Sequence, residues 1–268
     1  QSDATMSDGS GSGAGSFFNN TGTVRKSGSI GTTTFSSLES FANSGTVDVQ
    51  TGSMTFTGGP FHNNGTARTQ AGTLTVNGGG SGGGTFEAVS PGLVTFTGGT
   101  TTLTNGARLI GTGTNQVAGA TVTVTDTLGV ERLEVVNGTL NGAGIVTVTN
   151  SFHWAGGTIS GTGTLTLLGS VNGKISSSNT KFLDGERVLN NQGTLVWTGG
   201  AIRLDLGTWN NSGLLDCQSD STMSDGSTSG VGSLFNNTGT VRKSAGTTTT
   251  TFSAIQSFAN SGTLDVVS

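Results

Sequence analysis

The chain has little of several residue types on which folds and sites often depend. Its 268 residues include one cysteine, two prolines and no tyrosine, and only 10% are charged, with a net charge of −4. One cysteine excludes an intramolecular disulfide framework, and the scattered acids give no electrostatic basis for binding nucleic acid or an anionic membrane. No apolar run is long enough for a signal peptide or a membrane span. Because an initiating methionine is also absent, we expect a segment of a longer protein.

The residues that are abundant predict an all-β fold. The 48 glycines accompany short runs such as TVDVQ and TLTVNG, in which apolar and polar residues alternate before a turn of the NG, GG or SG type. This period of two indicates strands with one buried face, whereas no window of about 11 residues has helical periodicity. Regularly placed β-branched and aromatic residues also argue against a flexible low-complexity tract.

A short phrase recurs along the chain: an aromatic residue or leucine, any residue, Asn, any residue, Gly, and then usually Thr and an aliphatic residue. Neighbouring continuous copies are 20 to 26 residues apart. The copies begin at Phe18, Phe41, Phe61, Leu189, Trp209, Phe235 and Phe258. One structural unit is therefore about 20 residues long.

A second repeat operates over a much longer distance. Residues 1–51 align without insertion on residues 218–268, with about 37 of 51 positions identical, so that FNNTGTVRK returns after 217 residues. We interpret residues 1–217 as one complete super-repeat and residues 218–268 as the start of the next. Because the junction has the spacing of an ordinary unit, the second copy is predicted to stack on the first without a linker.

Units of about 20 residues are too small to bury a face alone and must stack. The sequence therefore predicts a parallel β-solenoid, or β-helix, in which each strand pairs with its equivalent about 4.8 Å away in the neighbouring coils. About eleven coils would make each super-repeat a rod on the order of 50 Å long. A leucine-rich repeat has units of similar length, but the chain lacks the spaced leucines of that fold. An immunoglobulin-like array would repeat at about 100 residues and would leave the repeat of about 20 residues unexplained.

Alignment on the phrase glycine predicts a charged column on the outer surface. The column comprises Arg25, Asp48 and Arg68 in one run and Asp216, Arg242 and Asp265 in the other. The signs alternate, and opposite charges on adjacent strands favour one register by a few tenths to about 1 kcal/mol per pair. We expect these residues to specify register more than to add stability.

The same alignment assigns side chains to the interior. An inward aromatic stack is predicted from Phe18, Phe41, Phe61, Trp197, Trp209, Phe235 and Phe258. Cys217 falls at an inward position equivalent to Val49 and Val266, which predicts a small buried hydrophobic residue, with a reactive thiol as the alternative.

No catalytic, cofactor-binding or metal-binding residues are predicted, and we expect the chain not to be an enzyme. The nearest acidic cluster, Asp184 and Glu186 beside Arg187, resembles a solvated turn with a local ion pair more than the paired acids of a glycan-active β-helix. His62 and His153 are 91 residues apart, and neither belongs to an arrangement of carboxylate and serine residues at a telling distance in the sequence, so no nucleophilic triad is predicted.

Two other motifs suggest ligands or modification. The stretch SDATMSDGSGSG returns as SDSTMSDGSTSG, and calcium is the alternative to a protruding polar loop for Asp3, Asp8, Asp220 and Asp225. Sequons occur at Asn19, Asn64, Asn137, Asn210 and Asn236. We expect these asparagines to form stacked amide ladders and to tolerate the left-handed conformation.

Thr-x-Thr motifs form a further group. They begin at Thr55, Thr73, Thr95, Thr121, Thr147 and Thr164. Outward threonine pairs resemble the flat arrays of ice-binding solenoids, but those arrays need a regular coil length and the intervals between these motifs are irregular. Threonine is also simply a good exposed strand residue. A binding role for this surface is kept as an alternative.

Taken together, F-x-N-x-GTV, GTLTVNGG, TFTGG and GTISGTGTLTL resemble the coils of large bacterial surface proteins of the adhesin and filamentous-haemagglutinin-like β-solenoid type. The resemblance spans the chain, and it implies an extracellular or cell-surface location and a structural or adhesive role, with no active-site residues. The leading hypothesis is a repeat module of an extracellular fibre or giant surface protein, whose partners are further copies of itself. The alternatives are an adhesin or ligand-binding solenoid that uses the threonine face for carbohydrate or ice, and a glycan-active enzyme.

Overall fold

The computed structural model describes residues 3–9, 15–226 and 232–267, which form strands and their connections. This part of the chain contains no helix, and thus none long and apolar enough to cross a membrane. It is a parallel β-solenoid of about 12 turns with about 21 residues per coil, so the predicted fold class is confirmed. The chain divides into two compact units, Gln1–Leu133 and Glu134–Ser268.

The first unit holds seventeen strands, and an eighteenth carries the chain across the boundary. They are β1 (Thr5–Ser7), β2 (Phe17–Asn20), β3 (Thr23–Lys26), β4 (Thr32–Ser36), β5 (Ser40–Asn43), β6 (Thr46–Val49), β7 (Ser53–Thr57), β8 (Phe61–Asn63), β9 (Thr66–Thr69), β10 (Thr73–Val76), β11 (Gly80–Gly82), β12 (Thr85–Ala88), β13 (Leu93–Phe96), β14 (Thr100–Leu103), β15 (Arg108–Ile110), β16 (Thr114–Val117), β17 (Thr121–Val124) and β18 (Thr127–Val135).

The second unit continues with seventeen more strands. They are β19 (Thr139–Asn141), β20 (Ile145–Trp154), β21 (Gly157–Ile159), β22 (Thr164–Leu167), β23 (Asn172–Ile175), β24 (Lys181–Asp184), β25 (Val188–Asn191), β26 (Thr194–Trp197), β27 (Ile202–Asp205), β28 (Thr208–Asn211), β29 (Leu214–Cys217), β30 (Thr222–Asp225), β31 (Leu234–Asn237), β32 (Thr240–Lys243), β33 (Thr251–Ser253), β34 (Ser257–Asn260) and β35 (Thr263–Val266).

Three successive strands make one turn over most of each unit, so each unit has three faces; the long strand β20 serves two of them, because it pairs with both β22 and β23. In the first unit, β2, β5 and β8 stack as the first face, β3, β6, β9, β12 and β15 as the second, and β4, β7, β10, β13 and β16 as the third. In the second unit, the first face contains β22, β25, β28, β31 and β34, the second β23, β26, β29, β32 and β35, and the third β21, β24, β27, β30 and β33. All of these pairings are parallel.

Alternation within each strand builds the core. In β10, Leu74 and Val76 are fully buried while Thr73 and Thr75 are half-buried on the outer surface. Burial of one such aliphatic side chain contributes about 1.5–3 kcal/mol, and each coil supplies several. The phrase glycine is needed because the coils approach backbone to backbone: a Cβ at Gly65 would overlap the carbonyl oxygen of Gly45.

Candidate functional site

The asparagine of the repeat phrase forms a continuous hydrogen-bonded ladder between the first and second faces. In the first unit, Asn20 Nδ2 donates to Asn43 Oδ1, and Asn43 Nδ2 donates to Asn63 Oδ1, both at 2.7 Å. The same nitrogens also donate to the carbonyl oxygens of Thr46 and Thr66 at 3.0 and 3.2 Å. Each amide therefore ties its own coil to the side chain and the backbone of the next.

The second unit repeats this ladder over four coils. Donation at 2.7 Å runs in order through Asn191, Asn211, Asn237 and Asn260. The predicted amide ladders are present, but their members here are not the sequon asparagines, and none adopts the left-handed conformation that asparagine tolerates. The non-glycine residues with positive φ in the described chain are Ser37, Ser177, Glu186, Leu206 and Ala254. The ladder asparagines instead lie within strands, where the extended backbone aligns their amides.

Two of the five sequons belong to a second, outward amide ladder. Asn236 Nδ2 donates to Asn210 Oδ1 at 2.9 Å, and Asn210 Nδ2 donates to Asn190 Oδ1 at 2.8 Å. The other three sequon asparagines are exposed: Asn19, Asn64 and Asn137. Attachment of a glycan to Asn210 or Asn236 would remove an amide proton from the ladder.

The aromatic residues of the phrase stack in the first unit as predicted from their positions. The ring centroids of Phe18 and Phe41 are 4.6 Å apart and nearly parallel, and those of Phe41 and Phe61 are 5.5 Å apart. Phe35 and Phe56, from the third face, pack between them. The sequence analysis missed this second column because its members lie outside the phrase.

In the second unit the predicted aromatics separate into two columns. Trp209, Phe235 and Phe258 stack on the first face, with centroids 6.1 and 5.0 Å apart. Trp197 is also fully buried, but it lies on the second face opposite Ile175 and Cys217. It comes from the strand after the phrase, and therefore it does not belong to the same stack.

The charged column of the first unit centres on Asp48. Its carboxylate accepts hydrogen bonds from Arg25 Nε at 3.0 Å and Arg68 Nε at 3.2 Å, and from Gln50 and Gln70 at 2.9 and 3.0 Å. The side chain is only 1% exposed, so the expected outward aspartate is covered by its partners. Burial raises the pKa of Asp48, but the four hydrogen bonds outweigh it and hold the pKa below the ordinary value.

The column of the second unit is incomplete. Asp216 lies directly opposite Arg242 in the register, and Arg242 opposite Asp265. Arg242 Nε donates to Asp265 at 2.8 Å, whereas Asp216 accepts from Gln218 at 2.7 Å and forms no ion pair with Arg242. Charge alternation thus predicted the register positions but not every bridge.

Cys217 faces the core and is 1% exposed, as predicted. Burial, with a contribution from Asp216, raises the pKa of its thiol to about 12. The thiol therefore stays protonated at neutral pH, which favours a packing role over reactivity.

The duplicated SD segment neutralises inward lysines. Lys26 Nζ donates to Asp3 at 2.7 Å, and Lys243 Nζ donates to Asp220 at 2.6 Å. The hydrogen bond from Lys243 lowers the pKa of Asp220 to about 2. Since these lysines occupy inward register positions, the aspartates compensate charges that the core would otherwise leave unpaired.

The remainder of this segment does not form a recognisable calcium site. Asp225 accepts from the hydroxyl of Ser233 at 3.2 Å. Within residues 3–9, 15–226 and 232–267, no three histidine, cysteine, aspartate or glutamate side chains converge as a metal site requires. The predicted protruding loop includes residues 10–14 and 227–231, which lie outside the described residues.

The prediction of a local ion pair among Asp184, Glu186 and Arg187 is wrong. Arg187 is fully buried and donates to the carbonyl oxygens of Gly142, Ser160 and Thr164 at 3.1–3.4 Å. The arginine turns inward, where backbone acceptors replace the acids. Burial, with repulsion from Asp205, raises the pKa of Asp184 to about 6.

His153 is the centre of a hydrogen-bond network that sequence spacing did not suggest. Its Nδ1 lies 2.6 Å from Glu134 Oε1, and its Nε2 lies 2.7 Å from Ser176 Oγ. We call these three residues the His153 network. The interpretation that His153 has no carboxylate or serine partner is wrong, because partners 19 and 23 residues away are one coil away in space. His62 contacts Ser81 Oγ at 2.9 Å through Nδ1.

One regular threonine column runs along the third face of the first unit. Thr34, Thr55, Thr75 and Thr95 occupy equivalent positions in four consecutive coils. The apparent irregularity arose because motifs at different positions along the strand were compared. This one column is in register, contrary to the expectation from motif intervals, whereas the neighbouring position is mixed, since Thr73 lies opposite Ser53 and Leu93.

Comparison with protein-family models, with curated proteins and with solved structures finds no match.

Proposed function

We propose that the chain is a structural repeat module of an extracellular fibre or giant cell-surface protein, in which coils stack end to end into a stiff filament. One observation carries the proposal: the ladders of the second unit continue through the point where the second sequence copy begins. Asn211 donates to Asn237 at 2.7 Å, and the ring centroids of Trp209 and Phe235 are 6.1 Å apart. The contacts that join consecutive copies are therefore those that join consecutive coils.

Such contacts support growth in one dimension. Each coil buries its core residues only against its neighbours, so added coils extend the core without enlarging its cross-section. The amide ladder, the aromatic stack and the parallel backbone pairing all recur with every coil. Further copies of the super-repeat, joined in tandem or head to tail, are the proposed partners.

The test uses chains that contain one, two and three copies of the 217-residue super-repeat. Electron microscopy is expected to show rods that lengthen by about 50 Å per copy, since neighbouring coils are about 4.8 Å apart. A chain with glycine-serine linkers between the copies serves as the control and should show articulated rods. Globular particles, or flexible joints in the chain without linkers, would contradict a stiff filament.

The extracellular location is tested separately on the native cells. Antibodies raised against the chain should label intact cells as strongly as permeabilised cells. Labelling only after permeabilisation would overturn the location without affecting the filament proposal.

The threonine column favours a binding role as a second candidate. The third face of the first unit presents uncharged hydroxyl and methyl groups in register, which suits carbohydrate hydroxyls or ordered water. Thr55→Lys with Thr75→Lys would interrupt the column, and Arg25→Lys on the second face is the control. Loss of glycan binding or of ice-recrystallisation inhibition in the threonine variant alone would support this role, and no activity in the wild type would remove it.

A further inference from the structure

The His153 network has the connectivity of an activated serine. A glutamate carboxylate accepts hydrogen bonds and does not donate them, so Nδ1 of His153 carries the proton that is shared with Glu134 at 2.6 Å. In the neutral ring, Nε2 then holds the lone pair and accepts the hydroxyl proton of Ser176 at 2.7 Å. Nucleophile, base and orienting carboxylate are thus joined in series at hydrogen-bonding distances.

We propose that Ser176 is a nucleophile for acyl transfer from carboxylic esters, with His153 as its general base and Glu134 as the group that orients the imidazole. This activity lies beyond the filament proposal and does not depend on it. Each residue comes from a separate coil, and stacking of the coils brings the three together. The His153 side chain is 35% exposed and Ser176 is half-buried, so an ester can approach from solvent.

Lys174 supplies a positive charge beside this serine. It lies directly opposite His153 in the register and two residues before Ser176 on the same outer side of the strand. Residues two apart along a strand are separated by about 7 Å, which the long lysine side chain can span. Lys174 forms no ion pair within the described residues, so its ammonium group is available to stabilise negative charge on an ester oxygen.

The reaction divides into two balanced steps. As Ser176 Oγ bonds to the ester carbonyl carbon, its proton moves to His153 Nε2. Collapse of the tetrahedral adduct breaks the ester C–O bond, and the departing alkoxide takes that proton, which leaves an alcohol and acyl-Ser176. Water then attacks the acyl carbon while His153 Nε2 accepts its proton. The bond between that carbon and Ser176 Oγ breaks, and Oγ takes the proton back from Nε2, which leaves a carboxylic acid and free Ser176.

The test treats the whole chain with a fluorophosphonate probe and locates the label by peptide mass spectrometry. Label is expected on Ser176, with none there in Ser176→Ala. His153→Gln should slow the labelling by at least about 100-fold, the lower range for loss of a general base. Glu134→Gln should slow it by about tenfold or more, because the imidazole loses its fixed tautomer. Lys174→Gln should slow p-nitrophenyl acetate hydrolysis severalfold.

Ser81 provides a matched control within the same chain. It contacts His62 at 2.9 Å, but His62 has no carboxylate hydrogen bond within the described residues, so Ser81 should remain unlabelled. Circular dichroism of every variant should retain the wild-type β signal. Equal labelling of Ser81 and Ser176, no label on Ser176, or an unchanged rate in folded His153→Gln would overturn the proposal and leave the network a structural link between coils.

Discussion

Residues 41–49 and 258–266 have almost the same sequence but very different environments. Eight of their nine residues are identical. Phe41 is 2% exposed and Val49 is fully buried, whereas Phe258 is 36% and Val266 is 74% exposed. In the first unit, β8 and β9 stack over the earlier segment. No described coil lies over the later one.

The two segments show that the inward direction of a side chain and its burial have different causes. Alternation decides which side chains point inward, and this is the same in both segments. The neighbouring coil decides whether an inward side chain is buried. Because each coil depends on its neighbours, the same substitution should cost more in the first segment than in the second.

The largest expected difference concerns the aromatic stack. Phe41→Ala removes a ring that packs against Phe18, Phe56 and Phe61, and should lower the free energy of unfolding by about 3–5 kcal/mol. Phe258→Ala removes a ring with one side exposed and should cost less than half as much. Urea denaturation of the two variants measures the difference. Equal losses would show that the stacked coil adds little to the burial of Phe41.

The amide ladder should give an intermediate difference. Asn43→Ala leaves the donor of Asn20 and the acceptor of Asn63 without their partner, at a cost of about 1–3 kcal/mol. Asn260 is exposed and accepts from Asn237 alone, so Asn260→Ala should cost about half as much or less.

Hydrogen exchange of the backbone amides next to each ladder position provides the measurement. Exchange should accelerate on both sides of position 43 but only on the Asn237 side of position 260. Acceleration confined to the mutated coil would contradict a ladder that links coils.

Much of this architecture was readable from repeats, because a repeat encodes which residues become neighbours. The phrase spacing predicted the coil, the stacked aromatics and the inward Cys217. The coil spacing could also have predicted the His153 network, since Glu134 and Ser176 are each about one coil from His153. It was missed because the two histidines were compared with residues nearby in sequence.

Other features depend on local geometry that a repeat does not encode. Arg187 follows two acids in the sequence, yet it turns into the core because three carbonyl oxygens are available there. Asp216 occupies its predicted register position, but Gln218 lies closer than Arg242 and supplies its hydrogen bond. Which of several possible partners a polar side chain binds can be decided only from the side-chain positions in the structure.

The smallest expected difference concerns the charged column and depends on pH. Asp48 accepts four hydrogen bonds, and Asp265 accepts one from Arg242. Asp48→Asn should lower the free energy of unfolding by about 1–2 kcal/mol at neutral pH, and Asp265→Asn by less than about 0.5 kcal/mol. Because the folded state lowers the pKa of Asp48, its contribution is present above the ordinary carboxyl range and is lost as the pH falls through the folded pKa. Urea titrations at pH 7 and at about pH 3 should therefore show the wild type and Asp48→Asn converging in acid. A gap between them that widens in acid would show that hydrogen bonding to the ionised carboxylate is not what holds Asp48 in the column.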